Sequence, residues 1–113
     1  MVKMVEKLKK NGHHLYLFAN VPQEIFTSLK KTHPEIIQLF DGVVISCQVN
    51  MVKPDPNIFK YLISKHKLTP EKCIIIDEQK ESIHVAQGLG MKGIVYKKPQ
   101  KVICKMKKFG ITV

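Results

Sequence analysis

The sequence contains no arginine, and all 19 of its basic residues are therefore lysine. Arginine supplies much of the bidentate recognition of phosphates and bases in nucleic-acid complexes. Its absence disfavours a nucleic-acid-binding function, although the net charge is +10. Acidic residues number only 9. The charge balance alone does not identify a partner.

Cysteine is scarce as well, with 3 residues that form no CxxC arrangement. An odd number of widely spaced cysteines argues against a disulfide framework and against a zinc site. Cys47 and Cys73 fall in apolar runs, and Cys104 falls in a helical pattern. We therefore interpret each of them as a small core residue.

Long hydrophobic runs are also missing from the sequence. The longest, such as 42–45 and 73–76, have the length of a strand and are far too short to span a membrane. Met1 leads into lysines instead of an apolar signal region. These features predict a cytoplasmic protein without a membrane partner.

Apolar segments of strand length alternate with segments of helical periodicity along the chain. The predicted elements are, in order, helix 1–11, strand 14–19, a helix from Pro22, a short helix over 34–40, strand 42–47, a helix from Pro56, strand 73–77, helix 79–88, strand 93–96 and a last helix. The inward positions predicted for the second and last helices are Ile25, Phe26, Leu29, Val102, Ile103, Met106 and Phe109. This alternation is typical of a doubly wound, Rossmann-like α/β domain, here one domain over residues 1–113 with a parallel sheet of about four strands and helices on both faces.

Three short motifs lie where predicted strands end: LYLFAN at 15–20, VKPDP at 52–56 and CIIIDE at 73–78. In open parallel sheets, ligands bind beyond the carboxyl ends of the strands. The motifs resemble the second, third and fourth motifs of the haloacid dehalogenase-like hydrolases, most of which are phosphatases. The resemblance spans residues 7–96, and the segments at 40–46 and 53–59 look most like the small-cap phosphatases of sugar phosphates and similar monoesters.

The resemblance implies a role for five residues. Lys53 would be the catalytic lysine that balances the negative charge of the nucleophile and of the transferring phosphoryl group. Asp77 and Glu78 would help to hold Mg²⁺, a hard cation that prefers carboxylate ligands. Ala19 and Asn20 would lie at the phosphate, although Ala19 stands where the family has a Ser or Thr hydroxyl. A phosphorylated small molecule is the implied substrate.

Simpler roles remain open for the same residues. Lys53 can be a solvated surface lysine, and Asn20 can serve only to shape a turn. Asp77 and Glu78 can complement the N-terminus of the following helix, which stabilises a helix by roughly 0.3–1 kcal/mol for each acid. For Asp55 we prefer the role of N-cap, because Pro56 follows it at the start of a helix.

The first motif of the family is missing from the sequence. It is an Asp-x-Asp segment that supplies the attacking carboxylate and the general acid, and no Asp-x-Asp pair occurs in the 113 residues. The family also places the strand that bears this motif at the centre of the sheet. We therefore expect a truncated phosphohydrolase core without a nucleophile, cap or central strand, and inactive alone. A late start codon, a split gene or a truncated isoform would produce it, and a second copy or an N-terminal complementing chain would fill the gap.

A noncatalytic binding protein is the alternative interpretation. Residues 82–113 contain seven lysines and no acidic residue. Helical spacing puts four of these lysines on one face of the last helix, namely Lys97, Lys101, Lys105 and Lys108. Such a face can dock on an acidic surface, but an ordinary solvated face has the same pattern.

Overall fold

The computed structural model describes residues 2–111, which divide into two compact units. The first unit extends to Val52, and the second comprises Lys53–Ile111. Within the described range the chain forms seven α-helices and four parallel strands, so the predicted α/β class is confirmed. The expectation of one domain over 1–113 remains a prediction. None of the helices in this range is long and apolar enough to cross a membrane.

In the part of the chain that the structure describes, the first unit contains one pair of parallel strands and four helices. Its elements are α1 (Val2–Lys10), β1 (Tyr16–Ala19), α2 (Gln23–Thr32), α3 (Pro34–Ile37), β2 (Gly42–Ile45) and α4 (Ser46–Val49). β1 and β2 align with Tyr16 opposite Gly42 and Ala19 opposite Ile45. The buried apolar side chains of this unit are Met4, Leu8, Phe26, Val44 and Ile45.

The second unit contains the other strand pair. Its elements are α5 (Pro56–Lys65), a short 3-10 helix (Pro70–Lys72), β3 (Ile74–Asp77), α6 (Lys80–Gly88), β4 (Lys92–Val95) and α7 (Pro99–Lys108). β3 and β4 align with Ile74 opposite Lys92 and Asp77 opposite Val95. The core of the unit consists of Ile58, Phe59, Leu62, Ile83, Ala86, Met91, Ile94, Val102 and Met106.

The four strands thus form two hydrogen-bonded pairs instead of one continuous ladder. Among residues 2–111 no fifth strand joins either pair. The side chains of β1 and β3 are all only half-buried, whereas Val44 of β2 and Ile94 of β4 are almost completely buried. Parallel strands are normally covered on both sides, so β1 and β3 are incompletely covered by the residues described.

Several expected core positions are exposed. Ile25 is 57% exposed and Phe109 37% exposed, so both predictions of an inward position were wrong. In α2 only Phe26 is buried, and the neighbouring Ile25 points about 100° away from it, to a side of the helix that the described residues leave uncovered. Phe109 lies just past the end of α7.

The core interpretation of the cysteines was wrong for two of them. β2 ends at Ile45 and Ser46 begins the short helix α4, which leaves Cys47 exposed. Cys104 is exposed on α7, where Val102 and Met106 take the buried positions. Cys73 is half-buried, and burial raises the pKa of its thiol.

Asp41 ties two loops of the first unit together. One carboxylate oxygen accepts a hydrogen bond from Lys9 Nζ at 2.6 Å, and the other accepts one from the Leu15 backbone N–H at 2.7 Å. The Asp41 backbone N–H donates to the Leu15 carbonyl oxygen at 2.6 Å. The Lys9 ammonium, followed by the Leu15 amide, lowers the pKa of Asp41 below its ordinary value of 3.8.

We expect Asp41→Asn to lower the free energy of unfolding by about 1 kcal/mol at neutral pH, because the ion pair is partly exposed and only the charge-assisted bonds are weakened. The pKa of Asp41 is depressed in the folded state. Asp41 therefore adds to the free energy of unfolding above its ordinary pKa, and this stabilisation is lost as the pH falls through the depressed pKa. Urea titrations should therefore show a difference between wild type and variant at pH 7 that vanishes in strong acid. Glu35→Gln, which removes only an exposed contact with His33, is the control. A difference that persists unchanged in strong acid would contradict this role.

Candidate functional site

An ion pair between Lys53 and Asp77 is the central feature of the second unit. Lys53 Nζ lies 2.6 Å from Asp77 Oδ2, and each side chain is only 11% exposed. Asp77 is the last residue of β3, so the pair lies at the carboxyl end of that strand. Lys53 is therefore not an ordinary solvated surface lysine. The predicted placement of both residues at one edge is confirmed, but their direct pairing was not predicted.

The second carboxylate oxygen of Asp77 is also engaged. Asp77 Oδ1 accepts a hydrogen bond from the Gln79 backbone N–H at 3.0 Å. Gln79 is the N-cap residue of α6 and makes no side-chain capping bond itself. The carboxylate thus satisfies one of the free N–H groups at the start of this helix, where negative charge is also favoured by the helix dipole.

The VKPDP segment leads from Lys53 into a firmly packed helix. Asp55 is the N-cap of α5, and its side chain accepts a hydrogen bond from the Asn57 backbone N–H at 2.9 Å. Pro56 occupies the first turn, and the Lys53–Pro54 peptide bond is cis. The N-cap role predicted for Asp55 is confirmed. Three buried side chains, Ile58, Phe59 and Leu62, anchor the helix in the core of the unit.

The other predicted site residues have simpler surroundings. Ala19 ends β1 in the first unit and is half-buried, and Asn20 follows it with an exposed side chain. Glu78 follows Asp77 in the second unit and is exposed. The phosphate-binding role of Ala19 and Asn20 and the metal-binding role of Glu78 remain predictions.

The residues described do not by themselves fit a magnesium site. Mg²⁺ needs octahedral oxygen ligands, commonly one or two carboxylates together with waters and substrate phosphates. Asp77 already binds an ammonium group and an amide, and Glu78 is exposed. Within residues 2–111 no three His, Cys, Asp or Glu side chains come together in a way that would hold a metal ion.

Comparison with known proteins relates the chain to a hydrolase family. The family model described as haloacid dehalogenase-like hydrolase matches residues 1–96. A sesquiterpene phosphatase of Aspergillus oryzae is 30% identical over 94 residues, which cover 83% of this chain and 47% of the relative. A phosphorylated carbohydrates phosphatase of Thermotoga maritima is 29% identical over 91 residues, which cover 80% of this chain and 41% of the relative.

The fold is shared with solved structures of the same kind. A HAD family enzyme of Bacteroides thetaiotaomicron, solved in complex with magnesium and inorganic phosphate, superposes with a TM-score of 0.78 at 22% identity. The match covers 89% of this chain and 55% of that enzyme. The chain thus spans less than half the length of the two phosphatases above and little more than half of the solved enzyme.

Proposed function

Because the chain belongs to the haloacid dehalogenase-like hydrolases, we propose that it forms part of the core of a phosphatase and that its 113 residues are catalytically inactive alone. The substrate class is a phosphate monoester of a small molecule. Support for this class comes from the two phosphatases that match most of the chain, one named for a sesquiterpene and one for phosphorylated carbohydrates. We assign no magnesium role to Asp77 and Glu78, because the set of metal-binding side chains around Asp77 is incomplete in the described residues.

The observation that carries the proposal is that every aspartate of the sequence already has a structural partner. The sequence contains three, and each lies in the described range. Asp41 binds Lys9 and the Leu15 amide, while Asp55 caps α5. Asp77 holds Lys53. A phosphoryl transfer through an aspartyl-phosphate requires a carboxylate that is positioned to attack phosphorus, whereas each of these three has a structural role at its own place in the fold.

Lys53 is the group that this chain would contribute to the chemistry. Its ammonium is held at the carboxyl end of β3 by a short ion pair and is mostly removed from water. A fixed positive charge in such a position stabilises the negative charge of a transferring phosphoryl group. Ala19 cannot donate a side-chain hydrogen bond to phosphate, and the loss of a bond to a charged group costs about 1.5–3 kcal/mol. We therefore expect Asn20 and nearby backbone amides to bind phosphate weakly.

The missing carboxylate would be supplied together with an additional strand. β3 has β4 as its hydrogen-bonded neighbour on one edge, and its isoleucines Ile74, Ile75 and Ile76 are half-buried. In the described part of the chain no strand pairs with the other edge of β3, and an unpaired strand edge with apolar side chains favours the addition of another strand. Such a strand would come from an N-terminal complementing chain or from a second copy, and a solution mass measurement distinguishes these from a monomer.

We expect no hydrolysis of p-nitrophenyl phosphate above the background without protein when the purified chain is incubated with millimolar Mg²⁺. The release of p-nitrophenolate, followed by its absorbance, measures this. Asp77→Asn is the matched control and should be equally inactive. Clear turnover by the wild type that Asp77→Asn abolishes would overturn the proposal, because Asp77 would then act as a catalytic group in this chain.

A binding function of helix α7 is the second candidate. The buried face of α7 carries Val102 and Met106, and the opposite side exposes lysines. Lys97 precedes the N-cap of α7, so the prediction that it lies on this helix was wrong, whereas Lys101, Lys105 and Lys108 lie within α7. Among the residues described, no acidic side chain pairs with any of these four lysines. Like charges four residues apart on a helix repel each other, and an acidic partner would relieve this repulsion.

This second function predicts salt-sensitive retention of the wild type on heparin that is lost when Lys97 and the α7 lysines Lys101, Lys105 and Lys108 are replaced by glutamine. The matched control replaces four exposed lysines elsewhere, Lys31, Lys60, Lys72 and Lys80, by glutamine and so changes the net charge equally. The salt concentration at elution is the measurement. If both variants elute at the same salt concentration, the lysines of α7 form an ordinary solvated face, and the proposed binding function of this helix is wrong.

A further inference from the structure

The contact between Lys53 and Asp77 bears on the binding of cations. A carboxylate at the end of a strand, followed directly by a second acid, has the chemistry that a divalent cation prefers. In this chain the position next to Asp77 Oδ2 is taken by Lys53 Nζ at 2.6 Å. We infer that Lys53 is the resident counter-ion of Asp77 and keeps a divalent cation from that carboxylate.

The burial of both partners makes this counter-ion persistent. Each side chain is 11% exposed, so water replaces only a small part of either interaction. A charge that has been removed from water needs an opposite charge and hydrogen bonds nearby. Displacement of the lysine would leave its ammonium mostly buried without its carboxylate, which opposes the entry of a competing cation.

The second oxygen of Asp77 does not offer an easy alternative. It accepts the Gln79 backbone N–H at 3.0 Å, a bond that also satisfies the start of α6. A cation on this oxygen would share the carboxylate with the Lys53 ammonium, and two positive charges at such short range repel each other strongly. In the described part of the chain no third acidic, histidine or cysteine side chain helps to offset that repulsion.

The inference is independent of the proposed function, because it concerns which cation Asp77 binds and not whether the chain hydrolyses an ester. Lysine acetylation of the wild type, followed residue by residue with mass spectrometry, tests it without any substitution. Lys53 should react at least about tenfold more slowly than Lys60, since a charge-assisted bond withholds its ammonium from the reagent. Lys60 is exposed on α5 and serves as the internal control. Millimolar Mg²⁺ should leave the rate at Lys53 unchanged.

A substitution tests the same claim from the opposite direction. In Lys53→Gln the positive charge is removed while a hydrogen-bond donor is kept, so Mg²⁺ should bind at least about tenfold more tightly than in the wild type when a neighbouring cation no longer repels it. Saturable shifts of the amides of residues 77–79 in an NMR titration measure this binding. Lys60→Gln makes the same change of net charge at an exposed position and should behave like the wild type.

Three results would overturn the inference. They are Mg²⁺-dependent acceleration of acetylation at Lys53, saturable wild-type shifts at the same Mg²⁺ concentration as in Lys53→Gln, and a folded Lys53→Gln that binds no better than the wild type. If Lys53→Gln does not fold, the acetylation rates of the wild type decide alone. Turnover of p-nitrophenyl phosphate would contradict only the proposed function. Failure of the proposed function and failure of the inference about Lys53 are therefore distinguishable.

Discussion

Replacement of Lys53 by methionine is expected to lower the free energy of unfolding by about 3 kcal/mol, near the lower end of the range for breaking a buried ion pair. Methionine keeps most of the length of the side chain but leaves the Asp77 carboxylate without its ammonium partner, which lies 2.6 Å away in the wild type. Both side chains are 11% exposed, so solvent compensates little. Urea unfolding followed by circular dichroism measures the effect.

Two further variants separate the ion pair from other effects of this substitution. Lys60→Met makes the same chemical change at an exposed position of the same unit and should alter stability by less than about 0.5 kcal/mol. Lys53→Met combined with Asp77→Asn removes both charges, keeps an acceptor for the Gln79 amide and should recover part of the loss, because a neutral amide costs less to bury than an unpaired carboxylate. A Lys53→Met variant as stable as Lys60→Met would show that the ion pair does not stabilise the fold.

Gly93→Ala is expected to destabilise the chain by about 1–3 kcal/mol, the usual cost of overpacking a filled interior. Gly93 lies in β4, where α6 packs against the strand. A Cβ atom added there would lie 2.5 Å from Ile83 Cγ2 and 3.4 Å from Gln87 Nε2. Because Ile83 is itself buried, it cannot move aside without disturbing the core. The midpoint of thermal or urea unfolding measures the loss.

Gly88→Ala is the matched control for Gly93→Ala. Gly88 is the last residue of α6, and a Cβ atom added there would meet nothing within 4 Å. Alanine is a better helix former than glycine by up to about 1 kcal/mol, so this variant should be as stable as the wild type or slightly more stable. Ile83→Leu, which removes the Cγ2 methyl group and keeps the size of the side chain, should recover part of the loss in the Gly93→Ala background. Equal stability of the two glycine variants would refute close packing at Gly93.

The packing of the second unit holds Lys53 and Asp77 in place. The close packing of α6 on β4 at Gly93 sets the position of α6, whose N-terminal amide at Gln79 binds Asp77. The buried face of α5 anchors the segment that follows Lys53. Overpacking at Gly93 that displaces α6 should therefore also weaken the Lys53–Asp77 contact, which faster acetylation of Lys53 in Gly93→Ala would reveal.

The sequence by itself determined the kind and order of most elements, whereas the short helix α4 was missed because its residues were assigned to the end of the preceding strand. Periodicity is a local property, and it predicted the alternating helices and parallel strands as well as the capping of α5 by Asp55. It also placed Lys53 and Asp77 at one edge, because carboxyl ends of parallel strands and their loops share that edge. The absence of an Asp-x-Asp pair needed no structure at all.

Only the tertiary structure decided which charges pair and which apolar residues are covered. Lys53 and Asp77 are 24 residues apart, and Lys9 and Asp41 are 32 residues apart. With 19 lysines and 9 acids, no local pattern selects these two pairs, since a pair forms where packing brings two loops together and removes water. The exposure of Ile25 and the separation of the four strands into two pairs could not be read from the sequence either. Both burial and strand pairing depend on neighbours that are distant along the chain.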